Sequence, residues 1–114
     1  MDVREFAAKT GLRILTGEAG LGKEVSGVYT GDLLSWVMSH ADKGDAWITV
    51  HTHLNIIAVA QLTEISCIII PEGICVEEAT LKKAVHEAVP ILGSPMSSYH
   101  ICCKAYEVFG NNGG

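Results

Sequence analysis

Charge is scarce in this 114-residue chain, with 18% of residues Asp, Glu, Lys or Arg, against roughly 25% in ordinary soluble domains. With 48% hydrophobic residues, the chain is expected to hide more surface than its own core requires, and therefore to self-associate. Its eight Lys and Arg are scattered and its net charge is −5, so it lacks the basic patch that nucleic acid or an anionic membrane would need. No apolar stretch reaches the ~18 residues of a membrane span. Met1-Asp2-Val3-Arg4-Glu5 lacks the charged-then-apolar layout of a signal peptide. A cytoplasmic protein is the expectation. None of the four cysteines forms a Cys-x-x-Cys pair, which argues against a disulfide framework. Cys102 and Cys103 are neighbours on a helical pattern, about 100° apart, and cannot readily bond to each other. The cysteines read as small buried hydrophobes, with a redox sensor or soft-metal ligand as the alternative and Cys75 alone near a turn. Gly-x-Ser-x-Gly and any local Ser-His-Asp or Cys-His set are also missing. The glycines at 17, 20 and 22 lack a following Lys-Ser or Lys-Thr and precede a strand, so they read as a connector rather than a phosphate loop.

What the chain does have is rhythm. Val25–Tyr29, Ala46–Val50 and Cys67–Ile70 are short apolar runs, each stopping at a polar or glycine-bearing turn and followed by a helical pattern. Val89–Leu92 repeats the theme and ends at Gly93-Ser94-Pro95. Buried parallel strands read as continuous apolar runs. The alternation predicts a compact three-layer α/β/α domain with a small, mostly parallel sheet, a single domain over 1–114 with its core at about 12–109. Asp2 caps a first helix to Thr10 that stops at Gly11, and Leu12–Leu15 has strand propensity. Asp32 is placed to cap a helix over Leu33–His40, and Asn55 to cap an apolar one through Ala60. An amphipathic helix is expected over Val76–Glu87, with Leu81, Ala84, Val85 and Ala88 inward. Ser97 or Ser98 caps a last helix to Val108, and 110–114 reads as a tail.

The stretches Gly27-Val-Tyr-Thr-Gly-Asp-Leu-Leu34, Ala46-Trp-Ile-Thr-Val50, Asn55-Ile-Ile-Ala-Val-Ala60, Cys67-Ile-Ile-Ile-Pro-Glu-Gly73 and Val89-Pro-Ile-Leu92 together resemble the DRTGG domain family. The likeness runs over about residues 12–109 and is to stand-alone members, which are similar to the N-terminal, non-kinase domain of HPr kinase/phosphorylase. Such domains also occur in phosphotransacetylases and between the CBS domains of some pyrophosphatases. The resemblance implies a regulatory or oligomerising role rather than a catalytic one. Stand-alone members are encoded near hydrogenase and redox-enzyme genes, which adds a redox-enzyme partner as an expectation. The chain departs from the family in having no Asp-Arg-Thr-Gly-Gly string, the local echo being Tyr29-Thr-Gly-Asp32. The kinase half is absent.

Turns that follow parallel strands gather at one sheet edge, where open α/β folds bind ligands. The candidate ligand-binding residues are therefore Tyr29, Thr30, Gly31 and Asp32, His51 and His53, Glu72 and Gly73, and Ser94. As His-x-His on extended chain, His51 and His53 would point to the same side, where they are weak metal candidates needing Asp32, Glu72 or His100 as a third ligand. No catalytic residue and no cofactor is assigned. Three readings stay open. One is a non-catalytic regulatory domain that dimerises and binds a nucleotide or other small anion, with Trp36 and the apolar helix at Asn55–Gln61 as interface candidates. The second is an interaction module for a redox-type partner. The third is a metal-binding protein or enzyme using His51, His53 and Asp32.

Overall fold

The computed structural model describes residues 1–110, so nearly all of the expected tail at 110–114 lies outside the described residues. The chain runs α1 (Val3–Thr10), β1 (Arg13–Ile14), β2 (Gly27–Thr30), α2 (Leu34–His40), β3 (Asp45–Ile48), α3 (Asn55–Thr63), β4 (Cys67–Ile70), α4 (Glu78–His86), β5 (Ile91–Gly93) and α5 (Ser98–Gly110). The strands form one sheet in the order β1-β5-β4-β3-β2. β2 to β5 are parallel, and β1 pairs antiparallel with β5 through Arg13 opposite Gly93.

Successive residues of a strand face opposite sides of a sheet, and here both sides are apolar. Ala46, Ile48, Cys67, Ile69 and Leu92 meet Val3, Phe6, Ile101 and Ala105 of α1 and α5. Trp47, Ile68, Ile70 and Ile91 meet Val37, Ile56, Ile57 and Ala84 of α2, α3 and α4. The result is the expected α/β/α sandwich. Each fully buried isoleucine removes apolar surface worth about 2 kcal/mol from water, which makes the unbroken runs the source of the fold's stability. No buried side-chain nitrogen or oxygen among the described residues lacks a hydrogen-bond partner.

Local chemistry sets the helix ends, with some surprises. Asp2 accepts from the Glu5 amide (2.9 Å) and Gly11 closes α1 at φ 75°, as expected. Ser97 accepts from the His100 amide at 3.2 Å and starts α5. Asp32 is not the cap of α2: Leu33 occupies the N-cap with no side-chain bond, because the Asp32 carboxylate reaches across to Thr49, just after β3, instead. Asn55 likewise is already helical, and Leu54 holds the cap position of α3. α3 continues to Thr63, beyond the expected Ala60. α4 starts at Glu78 rather than Val76, since Glu77 is extended, and Val85 is 49% exposed rather than inward. Of the cysteines only Cys67 is fully buried; Cys75 is exposed and Cys102 and Cys103 are half-buried, which corrects the reading of all four as core residues. The glycine connector is held against the body of the protein: Leu21 is buried, and the Leu21 carbonyl accepts from the Arg4 amide. No helix of the described residues is long and apolar enough to cross a membrane.

Candidate functional site

The turns after β2 and β3 lock onto each other. Asp32 Oδ1 accepts from Thr49 Oγ1 at 2.8 Å and from the Val50 amide at 3.0 Å. The Asp32 carbonyl contacts Nε2 of His51, whose own amide donates to Thr49 Oγ1 at 3.3 Å. The buried Trp47 donates its indole N–H to the Gly31 carbonyl at 2.9 Å. Gly31 is closely packed, since a Cβ there would lie 3.3 Å from the Tyr29 ring, a tight contact to which the ring would have to yield. Tyr29 is half-buried beside Val37 and Trp47, and Thr30 is exposed on the edge strand, bordering a shallow 300 Å³ groove with Val28 and Tyr106.

His51 and His53 have separate local partners. His51 turns to Asp32, and Nδ1 of the exposed His53 accepts from the Asn55 amide at 3.3 Å. Among the described residues no group of three or more His, Cys, Asp or Glu is disposed to hold a metal, so the third ligand such a pair would need is not at hand. The next turn is tied in the same way: Thr80 Oγ1 donates to the Thr52 carbonyl at 2.6 Å, and Thr52 Oγ1 to Glu77 at 3.3 Å.

At β4 and β5 the arrangement changes. The crevice rule for α/β sheets depends on neighbouring strands sending their following chain to opposite faces. β2, β3 and β4 all send it to the face of α2, α3 and α4, whereas β5 sends it to α5 on the other face. The β4 and β5 turns therefore diverge. They stay joined by two backbone bonds, Glu72 N–H to the Met96 carbonyl (2.8 Å) and Gly73 N–H to the Ser94 carbonyl (2.9 Å). These bonds require left-handed backbone at Glu72 (φ 60°) and Gly73 (φ 65°). Only glycine adopts that conformation without cost, so Glu72 carries about 1 kcal/mol of strain.

A cavity of 520 Å³ opens between the diverging turns, walled by Arg13, Leu15, Gly73, Ile74, Val76 and Ser94, with Cys75 at its margin. A second hollow of 450 Å³ shares Gly11, Ser94 and Pro95 with it and is flanked by Lys9 and Lys104. No carboxylate lines either one. Lys9 pairs with Glu5 at 3.2 Å along α1. Ser94 is buried, and its Oγ accepts from the Met96 amide at 3.0 Å, which shapes the turn. The structure thus brings Gly73 and Ser94 to one cavity with Glu72 behind its rim. Tyr29–Asp32 and His51–His53 lie together further along the edge. Arg13, Lys9 and Lys104 carried no signal in the sequence, where 91 positions separate Arg13 from Lys104 (104 minus 13). The pairing of β1 with β5 and the packing of α1 on α5 bring them to the same turn.

Comparisons with known proteins agree with the fold. The chain is similar to the crystal structure of the CBS and DRTGG domains from the regulatory region of Clostridium perfringens pyrophosphatase, complexed with its activator diadenosine tetraphosphate. The TM-score is 0.66 at 14% identity, and the match covers 91% of this chain but 45% of that one. At that identity the likeness is one of fold, and it accords with the DRTGG resemblance of the motifs. No protein-family model and no curated protein matches the chain.

Proposed function

We propose that this domain is a regulatory module that senses a nucleotide or comparable phosphorylated anion in the crevice between the β4 and β5 turns. The observation that carries the reading is the chemistry of that crevice. In a chain of net charge −5 it is lined by Arg13 beside an apolar wall of Leu15, Ile74 and Val76, the adjoining hollow is flanked by Lys9 and Lys104, and no carboxylate lines either. Guanidinium and ammonium groups bind phosphoryl oxygens through charge-assisted hydrogen bonds, and an apolar wall suits the face of a base. The neighbour's activator, diadenosine tetraphosphate, belongs to this ligand class. Gly73 and Ser94 line the site in this reading. Glu72 fixes its rim, and Tyr29, Thr30, Gly31, Asp32, His51 and His53 frame the rest of the edge.

Thermal unfolding with ATP, ADP and diadenosine tetraphosphate tests the reading. A ligand at ~100 times its Kd adds about 2.7 kcal/mol, on the order of 10 °C for a chain of this size. Arg13→Gln and Lys104→Gln should each cut that rise by half or more while leaving the unliganded melting temperature unchanged. No rise with any of the three, or one that both variants retain, would rule the reading out.

The β2 margin favours a second copy of the chain as neighbour. β2 is an edge strand with no charge and no proline, the devices that normally guard an exposed edge. The helices beside it expose Leu33 (65%), Trp36 (56%) and Tyr106 (80%). α3 is a poorer interface than its sequence suggested, because Ile56, Ile57, Val59 and Ala60 are spent on the core. Sedimentation should show a dimer that Trp36→Glu weakens. A monomer at ~10 µM, where contacts of ordinary interface size hold, would leave the margin to a different protein such as a redox-enzyme partner.

A further inference from the structure

A cavity of 730 Å³ lies at the opposite edge, where the strands begin. Its floor is apolar, formed by Ala60, Ile65 and Val89. Two ammonium groups, Lys23 and Lys43, and three carboxylates, Glu24, Glu64 and Glu87, stand around it. Their partners decide which charges are available. Glu87 is held by Lys83 (3.2 Å) and by the Gln61 amide (2.9 Å), which keep its carboxyl below the usual range. Glu24 bonds the Met1 amine at 3.2 Å. Lys23, Lys43 and Glu64 form no ion pair among the described residues.

Lys23 is half-buried, and burial lowers its pKa because the charged form loses water. An anion beside it would restore the lost solvation. Lys43 and Glu64 leave one joint of the backbone, since the Gly44 amide donates to the Glu64 carbonyl at 3.1 Å. Their charged ends nevertheless stay apart. Glu64 also caps α3, a helix with no basic residue in its last turn. A carboxylate at the negative end of a helix dipole is unfavourable, and a cation there is stabilising. The cleft thus offers positive charge for an acid, negative charge beside it for an amine, and apolar floor for a side chain.

We propose that this cavity binds a free amino acid with an apolar side chain, its carboxylate at Lys23 and Lys43, its ammonium at Glu64, and its side chain on Ala60, Ile65 and Val89. The site is separate from the β4–β5 crevice, so it stands or falls apart from the nucleotide reading. A phosphorylated ligand fits it poorly, because the three carboxylates around it would repel the extra negative charge.

Calorimetric titration with L-leucine and L-phenylalanine tests the proposal, together with the N-acetyl and amide derivatives that each remove one charge. At least one free amino acid should bind with a Kd of ~1 mM or tighter, and both of its blocked forms should bind at least tenfold more weakly. Lys23→Gln and Glu64→Gln lie outside the packed core and should fold, which circular dichroism checks, yet each should weaken binding about tenfold. No heat of binding from either amino acid at ~10 mM would overturn the proposal. So would equal binding of the blocked forms, or unaltered binding in both variants.

Discussion

Removing the Asp32 carboxylate should destabilise the protein even though the side chain lies at the surface, and the loss should depend on Thr49. Asp32 Oδ1 accepts two hydrogen bonds, from Thr49 Oγ1 at 2.8 Å and the Val50 amide at 3.0 Å. Each is worth about 1 kcal/mol net at an exposed carboxylate. Thr49 is 1% exposed, so deleting its acceptor strands a buried hydroxyl proton, a further ~1 kcal/mol. Asp32→Ala should therefore cost about 2–3 kcal/mol, on the order of 10 °C in melting temperature. Asp32→Asn keeps an acceptor in place and should cost about half as much. In Thr49→Val no hydroxyl is left to strand, so adding Asp32→Ala to it should cost only ~1 kcal/mol, a coupling of 1–2 kcal/mol in a double-mutant cycle. Urea denaturation of the four proteins provides the measurement. A loss below ~0.5 kcal/mol for Asp32→Ala, or additivity with Thr49→Val, would refute the bond as a structural tie and return Asp32 to the ligand face.

Gly20→Ala should cost about 2–4 kcal/mol in the same assay, because Gly20 sits at φ 70° and a Cβ there would lie 2.3 Å from the Ala88 carbonyl oxygen. Gly17→Ala, at φ 62° with open space around it, should cost only ~1 kcal/mol, and equal losses would contradict the close approach. Burial raises the Asp45 pKa, outweighing the Asp42 amide that donates to its carboxylate at 2.8 Å. Folding therefore favours the neutral acid: Asp45 costs stability above its folded pKa, and the cost fades as pH falls toward the unfolded value. Asp45→Asn should thus gain stability relative to the parent at pH 7 and lose that advantage near pH ~4, while an advantage that grew on acidification would reverse the assigned sign. Burial pushes the Cys67 thiol up to about 12, whereas Cys75 is exposed. A disulfide reagent should label Cys75 in the native protein and reach Cys67 only on unfolding; rapid native labelling of Cys67 in a Cys75→Ser variant would show the core opening at β4.

The layers were legible because the information is local. Cys67–Ile70 is buried at every position, and a strand covered on both faces must read as an unbroken apolar run. The cap at Asp2 and the stop at Gly11 were legible for the same reason, since donor and acceptor lie within one turn. Asp32 shows the limit. Asp before a helical pattern is a sound cap signal, but here a partner 17 residues away, just after β3, competes for the carboxylate and wins. Val85 fits the inward stripe of α4 by spacing, yet no layer of the described residues covers it. The crevice is further out of reach. Arg13 arrives through a two-residue antiparallel strand and Lys104 on the last helix, and no local pattern relates them.

What sets the β4–β5 turns apart is how little of their side-chain chemistry the fold consumes. The β2 turn is tied to the β3 turn through the Asp32 side chain, and the β3 turn to α4 through the hydroxyls of Thr52 and Thr80. Those polar groups already have partners, and a ligand would have to break them. The β4 turn meets the β5 turn through main-chain groups, Glu72 to Met96 and Gly73 to Ser94, and the strain at Glu72 is the energetic cost of that link. The side chains of Glu72, Ile74, Cys75 and Arg13 are left exposed, and none of them makes a hydrogen bond or ion pair to another described residue. A strained main-chain link surrounded by uncommitted side chains suits the proposed crevice: its shape is fixed without spending the groups that would contact a ligand. That asymmetry follows from one topological fact, that β5 alone among the parallel strands sends its chain to the other face.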